Sequence, residues 1–232
     1  LRSDFLNPDQ SLLLLTFAEA RIHEKDEELD PEALGLAMAR AEQPLWDGAK
    51  VAAEVRGLAL QQPYDASTDL VITDPEGATF SLAQVGTGLS LEQRLPAALG
   101  LTVQAEAERQ YYNDPVNDNR TLRASTELEW RYASGRISIE PETSLRNYED
   151  RERAGATGLP EGGRSEYSEL GGTLGWEQRI PFPGTIRIES ELTAAWRIRR
   201  DNFSGYYDYD YWSTRLELSA EYRRWSATVF AG

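Results

Sequence analysis

Residues 101–112 read LTVQAEAERQYY, and residues 121–132 read TLRASTELEWRY. Both stretches alternate apolar side chains with charged or polar ones, so each would form an extended strand with one apolar face and one charged face. Four further segments alternate in the same way: residues 136–148, 168–180, 185–199 and 212–223. The six segments predict an all-β protein built from long strands whose two faces differ in polarity.

The links between these strands are alternately short and long. The short links are residues 96–100, 133–135 and 181–184, and the longer, polar links are residues 113–120, 149–167 and 201–211. A transmembrane β-barrel keeps its short turns at the periplasmic end and its long loops outside. A soluble sandwich has no reason to place every long loop at one end. The alternation therefore favours an antiparallel up-and-down transmembrane β-barrel.

The composition is compatible with this fold. The chain has 232 residues, 40% of them hydrophobic, and its mean hydropathy is negative. A strand that shows only alternate residues to lipid averages to a polar sequence, so the negative value does not exclude a barrel. The net charge of −15, with arginines interleaved among glutamates, disfavours a nucleic-acid partner. Because cysteine is absent, there is no disulfide framework and no thiolate nucleophile.

The apolar face of each strand is expected to meet lipid, with aromatic side chains where the strands leave the hydrocarbon. The predicted membrane-interface aromatics are Tyr111, Trp130, Tyr132, Trp176, Trp196, Trp212, Tyr222 and Trp225. Further tyrosines predicted at the outer rim are Tyr148, Tyr167, Tyr209 and Tyr211. Pro141 falls on an apolar face in the middle of a strand, which predicts a bulge or a local loss of pairing.

The opposite face carries the charged residues that we predict to line a lumen. They are Glu106, Arg123, Glu127, Glu129, Arg131, Arg136, Glu140, Glu142, Arg187, Glu189, Glu191, Arg197, Arg215, Glu217 and Glu221. Glutamates concentrate at mid-height and arginines near both ends, so opposite charges should become cross-strand neighbours. In a narrow barrel these charges would form a filled interior without a pore, as in a structural or anchoring protein. In a wider barrel the same residues would line water.

The beginning of the chain has a different pattern. Residues 8–43 are predicted to be helical, because Asp30-Pro31-Glu32 combines an N-cap, a first-turn proline and an acidic first turn ahead of an apolar run. The leucines at 12–15 are consecutive, so a buried strand competes for that segment. The predicted domains are a helical segment or plug over residues 1–48 and a transmembrane barrel over residues 49–232.

Residues 79–232 resemble the Gram-negative outer-membrane β-barrel superfamily, in particular porin-like and export barrels. The alternation, the aromatic girdles and the loop asymmetry carry the resemblance. It implies a cell-envelope protein of the bacterial outer membrane, in contact with lipid or lipopolysaccharide and with other envelope proteins, that acts in transport as a pore or an export or uptake conduit. Barrels of this superfamily usually close their last strand with an aromatic residue. This chain ends Phe230-Ala231-Gly232, so further strands are expected after it.

Two other interpretations stay open. One is a non-conducting outer-membrane barrel that binds partners through its outer loops. The other is a soluble lipocalin-like binding barrel, in which Leu128 and Leu192 would point inward.

Enzymatic function is not predicted. The only histidine is His23, outside the clear strands, so no histidine-based triad or dyad is available at the outer rim. Carboxylate pairs such as Glu127 with Glu129 have arginines nearby and are better explained as ion-pair partners. No catalytic residue, metal site or cofactor is expected.

Overall fold

In the computed structural model, the described residues are 10–21, 32–64, 78–180, 186–222 and 225–231. They form one antiparallel sheet in which eleven strands follow each other in sequence order. The strands are β1 (Ser11–Arg21), β2 (Glu32–Trp46), β3 (Ala49–Tyr64), β4 (Ala78–Leu95), β5 (Leu99–Tyr112), β6 (Asn119–Tyr132), β7 (Gly135–Ala154), β8 (Pro160–Ile180), β9 (Ile186–Asp201), β10 (Tyr209–Tyr222) and β11 (Trp225–Ala231). The all-β, up-and-down architecture predicted from the sequence is confirmed. No helix long and apolar enough to cross a membrane occurs in this part of the chain.

The predicted N-terminal helices are wrong for the residues that the structure describes. β1 and β2 are paired strands, with Leu14 opposite Ala39 and Phe17 opposite Leu36. Both faces of β1 are apolar at mid-strand, so the period of two is absent from its sequence, and the alanines of β2 favour a helix only in isolation. Pairing with neighbouring strands overrides that preference. β2 also continues into β3 across the predicted domain boundary at residue 48. Asp30 and Pro31 lie outside the described residues.

The short connections lie at one end of the sheet. Two residues, Asp47 and Gly48, join β2 to β3, and the positive φ of Gly48, +76°, suits a tight hairpin turn. Ala133 and Ser134 form another two-residue connection, between β6 and β7, without a positive φ. The longer links of residues 113–118, 155–159 and 202–208 all lie at the opposite end. The predicted alternation of short and long links is present.

The turn between β4 and β5 places two non-glycine residues in the left-handed region. Ala97 and Ala98 both have φ of +59°, where a Cβ atom costs roughly 1–2 kcal/mol. We expect Ala97→Gly to stabilise the folded protein by about 0.5–1 kcal/mol, after the larger chain entropy of glycine is subtracted. Chemical denaturation of the protein in detergent measures the change. Ala133→Gly, in a turn without positive φ, is the control, and a loss of stability in Ala97→Gly would contradict the expectation.

The sheet has almost no conventional core. Among the described residues, the buried apolar side chains are Ala49, Ala52, Ala154 and Tyr167. Large apolar side chains on one face are exposed instead, including Leu128 at 42% and Trp212 at 72%. Soluble monomers rarely expose a continuous apolar surface of this extent. An apolar face of this extent is expected to be covered by an apolar medium or by another protein surface.

Pro141 interrupts pairing on one side only. β6 and β7 pair at Ser125 with Glu142 and again at Leu128 with Ile139, with no pairing between them and no shift in register. On its other side Pro141 stays paired with Gly172 of β8. Because proline has no backbone N–H to donate, one ladder is broken locally. The predicted local loss of pairing is confirmed, and it occurs without a bulge.

Candidate functional site: the charged face of the sheet

The register brings the predicted lumen residues to one face of the sheet, here called the charged face. Cross-strand partners show this directly: Glu106 lies opposite Arg123, and Glu142 and Arg197 flank Gly171 in one row. Alternate residues of a strand lie on opposite faces, so the odd or even position of a residue (its parity) gives its face. By parity and register, the other residues of that prediction lie on the charged face: Glu127, Glu129, Arg131, Arg136, Glu140, Arg187, Glu189, Glu191, Arg215, Glu217 and Glu221. The structure thus places the predicted set together. That the face encloses water stays a prediction.

The charged face carries a groove of about 1070 Å³ near the short-turn end. Its polar lining comes from five consecutive strands, β2 to β6: Glu42, Lys50, Glu92, Arg94, Thr102, Glu127, Glu129 and Arg131. Residues of the turns and of the opposite face complete its lining at the sheet end. Together with ion pairs that reach across an intervening strand, the groove indicates that the charged face is concave.

Arg56 of β3 reaches across the whole of β4. Its Nη2 atom lies 3.0 Å from a carboxylate oxygen of Glu106 and 3.4 Å from one of Glu108, both on β5. Two glycines of the intervening strand clear the path: a Cβ at Gly86 would lie 3.1 Å from Nε of Arg56, and one at Gly88 would lie 3.8 Å from Cγ of Glu106. The sequence analysis missed this bridge, although Gly86-Thr87-Gly88 in mid-strand is a signal for close approach.

Ion pairs connect other strands on the same face. Arg136 of β7 lies between Glu129 of β6, at 3.2 Å, and Glu177 of β8. Arg197 of β9 reaches Glu142 of β7 at 3.0 Å, across β8. Such pairs over an intervening strand are expected on a concave surface, where side chains converge.

The predicted pairing of opposite charges fails in more than one row: Arg131 lies directly opposite Arg136, and three glutamates form another row. Glu177, Glu191 and Glu217 are direct cross-strand neighbours on β8, β9 and β10. Like charges directly opposite each other are destabilising in a sheet. This acidic row makes the short-turn end of the charged face on these three strands locally negative.

On β1 to β3, an apolar patch separates the charged residues of the short-turn half from those at the outer ends of β1 and β2. At those outer ends Arg21 lies 3.0 Å from Glu19 and 3.8 Å from Glu32. On the charged-face parity, Phe17 lies opposite Leu36, and Leu36 lies opposite Leu58. Phe17 is 50% exposed and Leu36 37%. On β1 to β3 an apolar patch therefore interrupts the charged residues of this face.

The opposite, apolar face carries aromatic residues at both ends. Near the long loops, Trp196 and Trp212 stack with ring centroids 6.4 Å apart. Near the short turns, Nε1 of Trp176 donates to the hydroxyl of Tyr132 at 3.0 Å. Tyr111 and Trp130 share the parity of this face, and Tyr222 pairs with Trp225 in the register.

The sequence analysis missed one member of the aromatic set and misplaced four others. Trp46 belongs to the short-turn end of the apolar face, is 59% exposed and donates to Gln93 at 2.6 Å. The adjacent Asp47-Gly48 pair was a hairpin signal that could have revealed it. The tyrosines predicted at the lipid-facing rim that share the charged face instead are Tyr148, Tyr167, Tyr209 and Tyr211.

At the long-loop end of the sheet, the outer ends of β7 and β8 pack against the link between β9 and β10. The ring of Tyr167, 6% exposed, contacts Tyr148 and Tyr207 edge-on at centroid distances of 5.7 and 5.8 Å. The guanidinium of Arg151 lies over Tyr148 at 5.1 Å and over Tyr207 at 5.5 Å. Cation–π and aromatic contacts of this kind stiffen the outer end of the sheet.

Asp201 organises the link between β9 and β10. Its Oδ1 accepts hydrogen bonds from the backbone N–H of Phe203, at 2.9 Å, and of Gly205, at 2.8 Å, and its Oδ2 accepts one from Tyr207 at 3.1 Å. Partial burial alone would raise the pKa of this carboxyl, but the backbone donors outweigh it and hold the pKa below its ordinary value. A depressed pKa means that the ionised carboxylate stabilises the folded loop.

This stabilisation should be present above the ordinary aspartate pKa of about 4 and lost as the pH falls through the lower folded value. We expect Asp201→Asn to increase amide hydrogen exchange at residues 203–207 several-fold at neutral pH and to remove the acid-induced loss of protection. Asp210→Asn is the control, because Asp210 bonds Arg200 at 2.7 Å instead of capping the loop. Equal exchange in the wild type and Asp201→Asn would contradict the assignment.

Within the described ranges, no three or more His, Asp or Glu side chains are grouped so that they could hold a metal ion. His23 lies outside those ranges. The expectation that the protein has no catalytic residue and no cofactor stays a prediction.

No family model matches the sequence, and no curated protein matches it. Among solved structures, the chain is similar to the FrpB iron transporter from Neisseria meningitidis (F3-3 variant), with a TM-score of 0.56 and 8% sequence identity. The similarity covers 97% of this chain and 43% of that protein, so the chain spans less than half of the transporter's length. At this identity the match shows the fold alone: the eleven-stranded antiparallel sheet is built like part of the transporter's structure.

Proposed function

We propose that the chain forms part of the wall of a pore, or of an export or uptake conduit, in the Gram-negative outer membrane, with its charged face lining water. One observation carries the proposal. The charged face is concave and bridged by ion pairs across intervening strands, whereas the opposite face is an exposed apolar surface with aromatic residues at both ends. This polarity suits a barrel in lipid and is the reverse of a lipocalin-like soluble barrel, in which Leu128 and Leu192 would be inside.

The exposed apolar face indicates which medium should surround the protein. Leu128 and Leu192 are exposed by 42% and 38%, and a hydrocarbon layer would remove that surface from water at a gain of roughly 25 cal/mol per Å². Lipopolysaccharide and other outer-membrane lipids are thus the proposed contacts of this face, with other envelope proteins as further partners. No nucleic-acid partner is proposed, because the net charge is −15 and several arginines of the charged face are paired with glutamates.

The charge of the lining predicts ion preference. The predicted lumen set contains nine glutamates and six arginines, so an open pore should favour cations moderately. Several of the charged residues have ion-pair partners, and we propose no enzymatic activity.

Single-channel conductance of the complete purified protein in a planar bilayer tests the proposal. Stable steps with cation preference are expected. Glu129→Gln or Glu191→Gln should reduce that preference, and Arg215→Gln should increase it, because each change shifts the lining charge by one. Asp210→Asn, at the outer end of β10 and off the charged face, serves as a control for charge removal outside the predicted lining.

A protein that is demonstrably folded and inserted but never conducts would overturn the pore. That result would support a non-conducting anchoring barrel, which the ion-pair network across β3 to β9 also fits. Partition into the aqueous phase in a detergent phase-separation assay would overturn the membrane assignment itself.

A further inference from the structure

A small polar hollow lies on the charged face between β6, β7, β8 and β9, in the half nearer the long loops. Its volume is about 90 Å³. The charged side chains around it are Arg123, Arg146, Arg197, Arg199, Glu142 and Glu169. Four arginines and two glutamates give this lining a formal charge of +2, in a chain whose net charge is −15. Positive charge is concentrated here against the trend of the whole molecule.

Two of the four arginines are engaged by glutamates of the lining. Arg197 contacts Glu142 at 3.0 Å, and Arg199 contacts Glu169. Rings on either side also fix Arg199, whose guanidinium lies 4.8 Å from the Tyr209 centroid. These pairs hold their guanidinium groups in fixed positions at the rim of the hollow.

The other two arginines keep donor capacity. Nε of Arg146 donates to Oγ1 of Thr121 at 3.2 Å, and no carboxylate of the described residues lies within ion-pair distance of it. Arg123 reaches Glu106 only at 3.8 Å, while Arg56 holds the same carboxylate at 3.0 Å. Guanidinium forks with unused N–H donors, converging on one space, match the oxygens of a tetrahedral anion.

The shape of the hollow limits the ligand. Gly171 forms part of its lining, and a Cβ there would lie 3.4 Å from a carboxylate oxygen of Glu142 and 2.8 Å from the carbonyl oxygen of Trp196. A side chain at position 171 would thus disturb the hollow. At about 30 Å³ per water molecule, 90 Å³ accommodates a group of about three waters. One oxyanion fits this space, and a whole sugar or peptide does not.

We propose that this hollow binds an oxyanion, such as inorganic phosphate, sulfate or the phosphoryl group of a larger solute. Arg123 and Arg146 would supply the principal donors, and Arg197 and Arg199 would supply the surrounding positive potential. The inference rests on the proposed function in one respect, since a free ion reaches the hollow only if the charged face borders water. An anion entering from the long-loop end would then meet this site before the acidic row of Glu177, Glu191 and Glu217.

Phosphorus-31 NMR of inorganic phosphate, titrated with the full purified protein folded in detergent, tests the site directly. Line broadening that sulfate reverses, and that chloride at equal ionic strength does not, is the expected result. Arg123→Gln combined with Arg146→Gln should weaken phosphate binding at least tenfold. Arg146→Lys, which keeps the charge and loses the fork, should weaken it less. Arg179→Gln, on the same face but at the short-turn end, where Arg179 pairs with Glu189 at 3.1 Å, should bind phosphate like the wild type.

A parallel titration with lipopolysaccharide in the same detergent separates the two sources of phosphoryl groups. If lipopolysaccharide displaces phosphate from the wild type, the site accepts a lipid-borne phosphoryl group. If it does not, the ligand is a free solute. Phosphate binding that is absent, or equal in the wild type and a folded double variant, would overturn the site. Conductance without phosphate binding would overturn this inference alone, and phosphate binding without conductance would overturn the pore alone.

Discussion

Arginine in place of Leu192 is expected to destabilise the folded protein in a bilayer by about 2–4 kcal/mol. Leu192 lies at the middle of the apolar stretch of β9, where its neighbours are Trp176 and Leu216. A guanidinium there would be inserted among apolar side chains, and it could not reach water without deforming the lipid. Equilibrium unfolding of the protein in lipid vesicles, with folding monitored by tryptophan fluorescence, measures the loss.

The matched control is Thr102→Arg. Thr102 occupies the charged face between Glu92 and Glu127, so an added guanidinium would find opposite charges on both sides. Its stability should stay within about 0.5 kcal/mol of the wild type. If Leu192→Arg folds into lipid as well as Thr102→Arg does, the two faces are assigned the wrong way round.

Replacing Arg56 by methionine should cost about 1–3 kcal/mol, because hydrogen bonds between charged groups are lost. Glu108 would lose its cation, and Glu106 would keep only the 3.8 Å contact with Arg123. Glu106 and Glu108 are adjacent members of one strand face, and Arg56 contacts both. The loss should appear in chemical denaturation of the protein in detergent. Arg179→Met, at a side chain that is 80% exposed, should change stability by less than about 0.5 kcal/mol.

A rescue separates the electrostatic effect from lost packing. Adding Glu106→Gln and Glu108→Gln to Arg56→Met removes the unpaired charges, and we expect most of the stability to return. If the triple variant is no more stable than Arg56→Met, the aliphatic part of Arg56 over Gly86 accounts for the effect instead of the ion pairs.

The strands from β5 onwards were predictable because their two faces meet different environments. In residues 101–108 every second side chain is apolar, and the structure puts Leu101, Val103 and Ala105 on one face and Glu106 on the other. The same reasoning failed for β1 and β2, where leucines and alanines occupy both parities and no alternation marks a strand.

The odd or even position of each tyrosine along its strand would have corrected the face to which it was assigned. Tyr148 lies two residues after Arg146, and Tyr209 and Tyr211 have the parity of Arg215, so each shares a face with a residue predicted to point inward. What the sequence could not supply is contact across strands. Arg56 and Glu106 are 50 residues apart, and their meeting depends on the registers of two hairpins together.

The two edge strands of the sheet run in the same direction, which limits how the sheet can close into a barrel. β1 and β11 are the outermost of the eleven described strands, and because the number is odd, both run from the short-turn end towards the long-loop end. Joined directly, they would form a parallel pair. Two copies of this sheet inserted in the same orientation would also meet in a parallel pair, because the edge strands of both copies run towards the long-loop end. Antiparallel closure of the cylinder therefore requires at least one descending strand from outside these eleven, and in general an odd number of them.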